Sequence, residues 1–163
     1  MKAVKIAAAL LIVAAAVLAI RTLTYEPYRC TQVAFRVDLR TDQLQGTSNP
    51  MLIMSGTREN LAELAPCLAS TPWSVRLHML AGANHHLRND YETAAAAYAR
   101  ALDYDRRPEI EYAVGLALLN AGKREEAMPH LISAASVHRR YARDLPDDVR
   151  RELYTVLNRR AVE

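Results

Sequence analysis

Two stretches of this sequence repeat one pattern of small and apolar residues at a spacing of 33 residues. The matched pairs are Gly82 and Gly115, Asn89 and Gly122, Ala94 and Ala127, Tyr98 and Leu131, and Ala101 and Ala134. An internal period between 20 and 50 residues is typical of stacked repeat proteins, and it constrains the whole fold. Proteins of this kind present extended surfaces to partners. The period therefore predicts stacked structural units whose role is contact.

Each unit of the repeat has the pattern of two helices joined by a tight turn. Ala94, Tyr98 and Ala101 lie at i, i+4 and i+7, so they form one stripe along a helix. The second unit repeats that stripe. Residues 89–90 and 122–123 separate the two helices of each unit, and the residue types Asn, Asp and Gly at these places suit turns.

The glycines and prolines of the repeat add detail. Gly82 and Gly115 lie inside apolar helical segments, where glycine costs about 1 kcal/mol relative to alanine. A glycine at the same place in both units indicates close approach of another backbone. Pro108 suits the first turn of the helix that begins the second unit. Pro129 removes a backbone donor within the next helix, which predicts a late start or a slight kink there.

The arrangement resembles the tetratricopeptide repeat (TPR) family. The residues that carry the resemblance are Gly82, Ala94, Tyr98 and Ala101 in one unit and Gly115, Gly122, Ala127, Leu131 and Ala134 in the other. The resemblance implies an all-α fold, a short α-solenoid of helix–turn–helix hairpins. It places two repeats at 75–107 and 108–140, within a region at 73–140.

The resemblance also implies a concave groove lined by the first helix of each unit. Its candidate residues are Arg76, Met79, Ala83, His86, Tyr112, Leu116, Leu119 and Asn120, with Glu109 at the edge. An apolar floor with one aromatic ring and a few polar groups favours recognition of a helix or an extended apolar peptide. The alternative is that several of these side chains only pack against the neighbouring hairpin.

The amino terminus contains an uninterrupted apolar run at 6–20, between Lys5 and Arg21. A helix of this length covers about 22 Å, which is short of a hydrocarbon core of about 30 Å. Residues 4–23 can nevertheless form a single span if the flanking cations reach the interface.

Three interpretations of this run stay open. We favour an uncleaved signal anchor at 1–24 over a cleaved signal peptide, since Val17 and Ala19 offer only a weak cleavage site. A buried soluble helix is the third. The first two export the rest of the chain, so the repeat region is expected to be membrane-anchored in the periplasm or outside the cell, or else secreted. Positive residues on the short amino-terminal tail favour a cytoplasmic amino terminus.

Residues 25–72 are interpreted as a degenerate first helical hairpin. A short linker around Pro27 is expected to lead into it. The segment 30–45 has patterns that fit either a helix or a strand. We take it as a helix, because everything after it is helical and a lone strand has no partner.

The second helix of that hairpin has a clear start and a weak interior. Asn49 is a good cap and Pro50 a good first helical residue. The helix is expected to run to about Ala69, but Gly56 and Pro66 weaken it, which predicts two pieces.

The two cysteines flank the turn of this hairpin, centred near residue 48, at almost equal distances. Cys30 lies 18 residues before that point and Cys67 lies 19 after it. Residues equidistant from the turn of an antiparallel hairpin lie at the same height, so this pair can form a disulfide in an exported chain. The alternative is two independent buried thiols.

Residues 141–163 do not continue the repeat, since Asp148 stands where a third small residue would fall. An acidic start after Pro146 suits a helix amino terminus. We interpret this segment as a capping helix that covers the last repeat with one apolar stripe, formed by Val149, Leu153, Val156 and Leu157.

Candidate chemistry is sparse. The formal net charge of +3 is too small to indicate nucleic-acid binding. His78, His85 and His86 lack the further ligands that a metal site requires, and no phosphate-binding or nucleophile motif occurs. We therefore expect no enzyme activity, cofactor or metal.

The sequence as a whole favours a non-enzymatic scaffold or adaptor. It would hold a protein or peptide partner in an envelope complex, attached to the membrane through residues 4–23. The alternative is a ligand-binding or accessory subunit of an envelope enzyme. A homo-oligomer remains open, because helical repeat units can also stack between copies.

Overall fold

The computed structural model describes residues 2–160, with side chains for residues 10–159. The predicted contributions of the Lys2, Val4 and Lys5 side chains, and residues 161–163 of the predicted cap, lie outside this part. Every regular element of residues 2–160 is a helix, which confirms the all-α prediction. The α-helices are α1 (Lys2–Ile20), α2 (Glu26–Gln45), α3 (Pro50–Ser70), α4 (Val75–Leu87), α5 (Tyr91–Leu102), α6 (Pro108–Asn120), α7 (Arg124–Val137) and α8 (Asp147–Arg160).

One unbroken helical rod runs from α1 into α2. The predicted linker around Pro27 is wrong: a π-helical turn, Arg21–Tyr25, joins the two helices, and the backbone N–H of Glu26 donates to the carbonyl of Arg21. Pro27 explains this wider turn. It has no N–H for the carbonyl four residues earlier, and its ring needs room there. The apolar segment is therefore stiffly continuous with the first hairpin.

Helix α3 is also continuous, so the expected division into two pieces is wrong. Asn49 caps it as predicted, its side chain accepting from the backbone N–H of Met51 at 3.0 Å, and Pro50 is the first residue. Four buried residues form one stripe that begins directly after Gly56 and continues past Pro66: Thr57, Asn60, Leu64 and Cys67. Packing of this stripe against α2 holds the helix together in spite of Gly56 and Pro66.

The helices of the two repeated hairpins begin at matching residues at the shift of 33. Helices α4 and α6 begin at Val75 and Pro108, and α5 and α7 begin at Tyr91 and Arg124. The turns match as well. Asn89 has a φ of 60° and Gly122 a φ of 78°. The residue after each of these, Asp90 or Lys123, donates its backbone N–H to the carbonyl five residues earlier, which is a Schellman motif.

The repeated glycines make room for side chains of the following helix. A Cβ atom built on Gly82 would lie 2.4 Å from the ring of Tyr98. A Cβ atom on Gly115 would lie 2.8 Å from the side chain of Leu131 and 3.2 Å from the carbonyl oxygen of Ala127. The expected close approach is thus real, but its main partner is a side chain and not a backbone. Helices α4 and α5, and α6 and α7, nest at these points.

The carboxyl-terminal elements cover the last hairpin. Helix α7 begins ahead of Pro129, at Arg124, so the expected late start does not occur. Helix α8 begins at Asp147 as the acidic pattern predicts, and it packs Val149 and Leu153 against α7 and its neighbours. Consecutive helices from α2 to α8 contact one another, and α2 additionally covers part of α4.

Candidate functional site

A half-open cavity between α4 and α6 brings together half of the predicted groove. Its volume is about 230 Å³. Four of its lining residues are predicted groove residues: Ala83, His86, Tyr112 and Leu116. The others are Gln45, Leu87, Tyr98 and Ala113. The sequence did not identify Gln45, because nothing in the pattern of α2 shows that its far end reaches the repeats.

The polar groups at the rim of this cavity are uncharged. The Asn120 side-chain Nδ2 lies 3.3 Å from His86 Nε2, and the ring of Tyr91 meets the His86 ring edge-on with centroids 5.0 Å apart. Since an amide nitrogen only donates, His86 Nε2 accepts, which requires a neutral imidazole. Burial also lowers the pKa of His86 below its ordinary value. The site therefore keeps a neutral histidine at pH 7.

The two tyrosines of the cavity keep their protons as well. Burial raises the pKa of Tyr98 to about 12. Burial, and then the charge of Asp144, raise the pKa of Tyr112. The Tyr112 ring packs against the Tyr141 ring with centroids 5.1 Å apart, and the Tyr141 hydroxyl donates to Glu109 Oε1 at 2.8 Å. The cavity is thus an apolar, uncharged recess with an aromatic wall.

The remaining predicted groove residues serve other contacts. Arg76 reaches α2, where its Nη2 lies 2.6 Å from Asp38 Oδ2. Met79 packs on the core between α5 and α6, and Leu119 packs on the core around α7 and α8. Met79 and Leu119 thus pack as the alternative interpretation describes, whereas Arg76 forms an ion pair with α2. Asn120 lies beside the cavity, because its side chain contacts His86 there.

The three neighbouring histidines do not converge. His78 Nε2 lies 2.7 Å from the carbonyl oxygen of Pro72, and His85 Nδ1 lies 3.0 Å from Asp90 Oδ2. Within the part of the chain that the structure describes, no group of three or more His, Cys, Asp or Glu residues is placed to hold a metal.

The predicted cysteine pair is brought to disulfide distance. The Sγ atoms of Cys30 and Cys67 are 2.20 Å apart and the Cα atoms 5.4 Å apart. The bond joins α2 and α3 at the end of the hairpin that is nearest the apolar segment. A structural disulfide is typical of oxidising compartments outside the cytoplasm.

Sequence reasoning missed a buried polar network at the junction of α2, α3 and α4. Asn60 Nδ2 donates to Asn84 Oδ1 at 2.8 Å, and Asn84 Nδ2 donates to Thr41 Oγ1 at 3.0 Å. Thr41 in turn donates to the carbonyl of Val37 at 2.7 Å. All three polar side chains are buried. Asparagine on a helix is more often exposed, so the residue type alone gave no signal.

A second cavity, also unanticipated, lies at the tip of the first hairpin. Its volume is about 360 Å³. Arg40 forms part of its wall, but its guanidinium is engaged by Glu59 at 2.7 Å and by Glu63. It contains no residue of the repeats, so it does not belong to the predicted groove.

The amino-terminal segment meets the requirements of a membrane span. A helical stretch from Leu10 to Gln45 is long and apolar enough to cross a bilayer, and none of its apolar window is buried against the rest of the chain. Leu11 and Ile12 are 72% and 70% exposed. This excludes a soluble core helix within the described structure and is compatible with a membrane anchor or a signal sequence.

No protein-family model, curated protein or solved structure matches this chain. A proposed function therefore depends on the internal repeat, whose two hairpins match in helix starts and in turn geometry.

Proposed function

We propose that this chain is a non-enzymatic adaptor of the TPR type, held at a membrane by its amino-terminal helix. The hairpins α4–α5 and α6–α7 form the repeats of a short α-solenoid, and α8 caps it. The cavity between α4 and α6 receives an apolar side chain of a protein or peptide partner. The matching helix starts and Schellman turns of the two hairpins support the repeat assignment.

The cavity carries the proposal of partner binding. At about 230 Å³ it is smaller than the 300–1,000 Å³ that is usual for small-molecule sites. It suits one or two anchoring side chains, as in a helix or an extended peptide that lies in a groove. Its histidine and tyrosines are neutral, so the anchor is expected to be apolar, with the amide of Asn120 available to orient it.

The apolar helix and the disulfide support a location outside the cytoplasm. An exposed apolar span, Arg21 at its end and a cysteine pair fit an anchored domain in the periplasm or outside the cell. If the segment is instead a cleaved signal peptide, the same hairpins are secreted without a membrane anchor.

A site-specific photocrosslinking experiment tests the proposed site. Gln45 is exposed on the rim of the cavity, so a photoreactive phenylalanine analogue at this position should not disturb the core. The matched control carries the analogue at Ala99, which is exposed on α5 away from the cavity. Illumination of membranes that contain the full chain should give a discrete protein adduct from position 45 and not from position 99.

Filling the cavity gives the second arm of this test. Ala83→Arg should abolish the adduct, whereas Ala96→Arg, on the exposed face of α5, should leave it unchanged. Equal adducts from both probe positions, or an adduct that survives Ala83→Arg, would refute the site. An adduct of twice the chain mass would identify a second copy as the partner, and a co-purified small molecule would favour the accessory-subunit alternative.

A further inference from the structure

We propose that the turn between α3 and α4 docks on the lipid headgroups of the membrane that holds α1, with Trp73 inserted in the headgroup layer. This inference rests on the proposed membrane anchor and adds a second point of contact with the bilayer. It would fix the orientation of the hairpins relative to the membrane surface.

Trp73 lies beside the start of α2, close to the apolar segment. It shares a shallow cavity of about 230 Å³ with Pro27, Cys30 and Thr31. The disulfide between Cys30 and Cys67 fixes this end of α3 to α2. Because the helix is unbroken from α1 into α2, the position of Trp73 along α2 also gives its height above the span.

That height coincides with the headgroup layer. The proposed span ends at Leu23, and Pro27 follows about 6 Å further along the helix at 1.5 Å per residue. The whole bilayer is about 40–45 Å thick and its hydrocarbon core about 30 Å, so the polar headgroup layer is roughly 5–8 Å thick on each side. A side chain beside Pro27 is therefore placed in the interfacial layer.

The side chains at this height are the ones that favour a bilayer interface. Trp73 is 61% exposed, and Tyr25 and Tyr28 on the rod are 57% and 65% exposed. Tryptophan and tyrosine concentrate at membrane interfaces, where the ring contacts the acyl boundary and the polar atom stays hydrated. Exposed aromatic residues on two separate elements at one height favour lipid over a localised protein contact.

The turn that carries Trp73 is held in a fixed conformation. The Thr71 hydroxyl donates to the carbonyl of Cys67 at 2.8 Å, and the backbone N–H of Ser74 donates to the carbonyl of Thr71 at 3.0 Å. His78 on α4 forms a hydrogen bond with the carbonyl oxygen of Pro72. Its ring also stacks on the ring of Tyr104, an exposed aromatic residue at the same end of the hairpins. Little conformational entropy is then lost on docking.

Trp73 supplies its own probe, because the chain has a single tryptophan. The full chain is reconstituted in phosphatidylcholine vesicles, and its emission is measured with acrylamide and with lipids brominated on the acyl chain close to the headgroup. We expect a blue-shifted emission, strong quenching by the brominated lipid and weak quenching by acrylamide. The matched control is Trp73→Phe combined with Met51→Trp, since Met51 is 79% exposed at the far end of the hairpin. It should show the opposite pattern.

Flotation of the vesicles separates this inference from the anchor. If the chain floats but Trp73 behaves like the distal control, lipid docking is refuted and the anchor stands. If Trp73 is shielded from acrylamide yet not quenched by brominated lipid, a protein contact covers it, and lipid docking is again refuted. If the chain does not float, the anchor and the docking both fail.

Discussion

The first hairpin, α2–α3, and the repeated hairpins, α4–α5 and α6–α7, share one antiparallel topology but are held together by different interactions. The first has helices of 20 and 21 residues joined by a disulfide and an apolar core, and buried hydrogen bonds of Thr41 and Asn60 with Asn84 attach it to α4. The repeats have helices of 12 to 14 residues that nest where a glycine receives a side chain. The hairpin that lacks the repeat packing thus has a covalent link and buried polar links in addition to its apolar core, and variants can test this contrast.

The largest expected effect is in the repeats. Leu131 is 1% exposed and lies against Gly115, so Leu131→Asp would bury an unpaired carboxylate. We expect a loss of about 4 kcal/mol or more, and the cooperative unfolding transition should disappear in circular dichroism melts. Ser133→Asp, two residues away on the exposed side of α7, is the control and should melt like the parent. Equal melting of both variants would contradict the register of the repeat.

The next effect concerns the disulfide. The cysteines are 37 residues apart, so reduction should destabilise the chain by about 3–4 kcal/mol in the chain-entropy description. Hydrogen exchange should rise most in α2 and α3. The double variant Cys30→Ala/Cys67→Ala should match the reduced protein and no longer respond to reductant. If amide hydrogen exchange rose equally in all three hairpins, the disulfide would not stabilise the first hairpin in particular.

Glycine substitutions give a smaller effect that differs between the regions. Gly82→Ala would place a methyl group 2.4 Å from the Tyr98 ring, and overpacking should outweigh the gain of about 1 kcal/mol in helix propensity. We expect a net loss of about 1–2 kcal/mol in urea unfolding. In the first hairpin, Gly56→Ala meets only the flexible end of Leu44 at 2.9 Å and should be close to neutral. Equal losses at both glycines would show that the two hairpin types pack alike.

The smallest effect is a pH dependence that belongs to the first hairpin. The hydrogen bond from Arg40 lowers the pKa of Glu63 below its ordinary value of 4.5. The stabilisation is therefore complete above about pH 4.5 and is lost as the pH falls through the lower folded value. Glu63→Gln should remove at most about 1 kcal/mol near neutral pH, because the pair is partly exposed. The difference from the parent in urea unfolding should vanish at low pH; a difference that grows on acidification would reverse the assigned sign.

The sequence allowed the all-α class, the turns within the repeated hairpins and the cysteine pair to be predicted, because each depends on the spacing of residues along the chain. The turns at Asn89 and Gly122 carry the chemistry that their positive φ angles require. Local spacing could not show that a π-helical turn accommodates Pro27, because a proline there is equally compatible with a break in the helix. It also could not show that α3 continues through Pro66, since packing of its buried stripe decides that.

The candidate site was predicted only in part for a similar reason. Ala83, His86, Tyr112 and Leu116 line the cavity as the repeat pattern implies. Arg76 instead pairs with Asp38 on α2, a helix outside the repeat, and Met79 packs on the core formed by α5 and α6. The Asn60–Asn84 hydrogen bond joins residues 24 apart on different helices, and no periodic pattern marks such a pair.

The unbroken helix has a mechanical consequence. Gln45, on the rim of the cavity, stands about 33 Å along the rod from Leu23. In the anchored state, a typical tilt of about 20° for the span would swing that rim sideways by about 11 Å. The tilt, which interfacial anchors and neighbouring helices set, would then decide how far to one side the proposed binding surface lies.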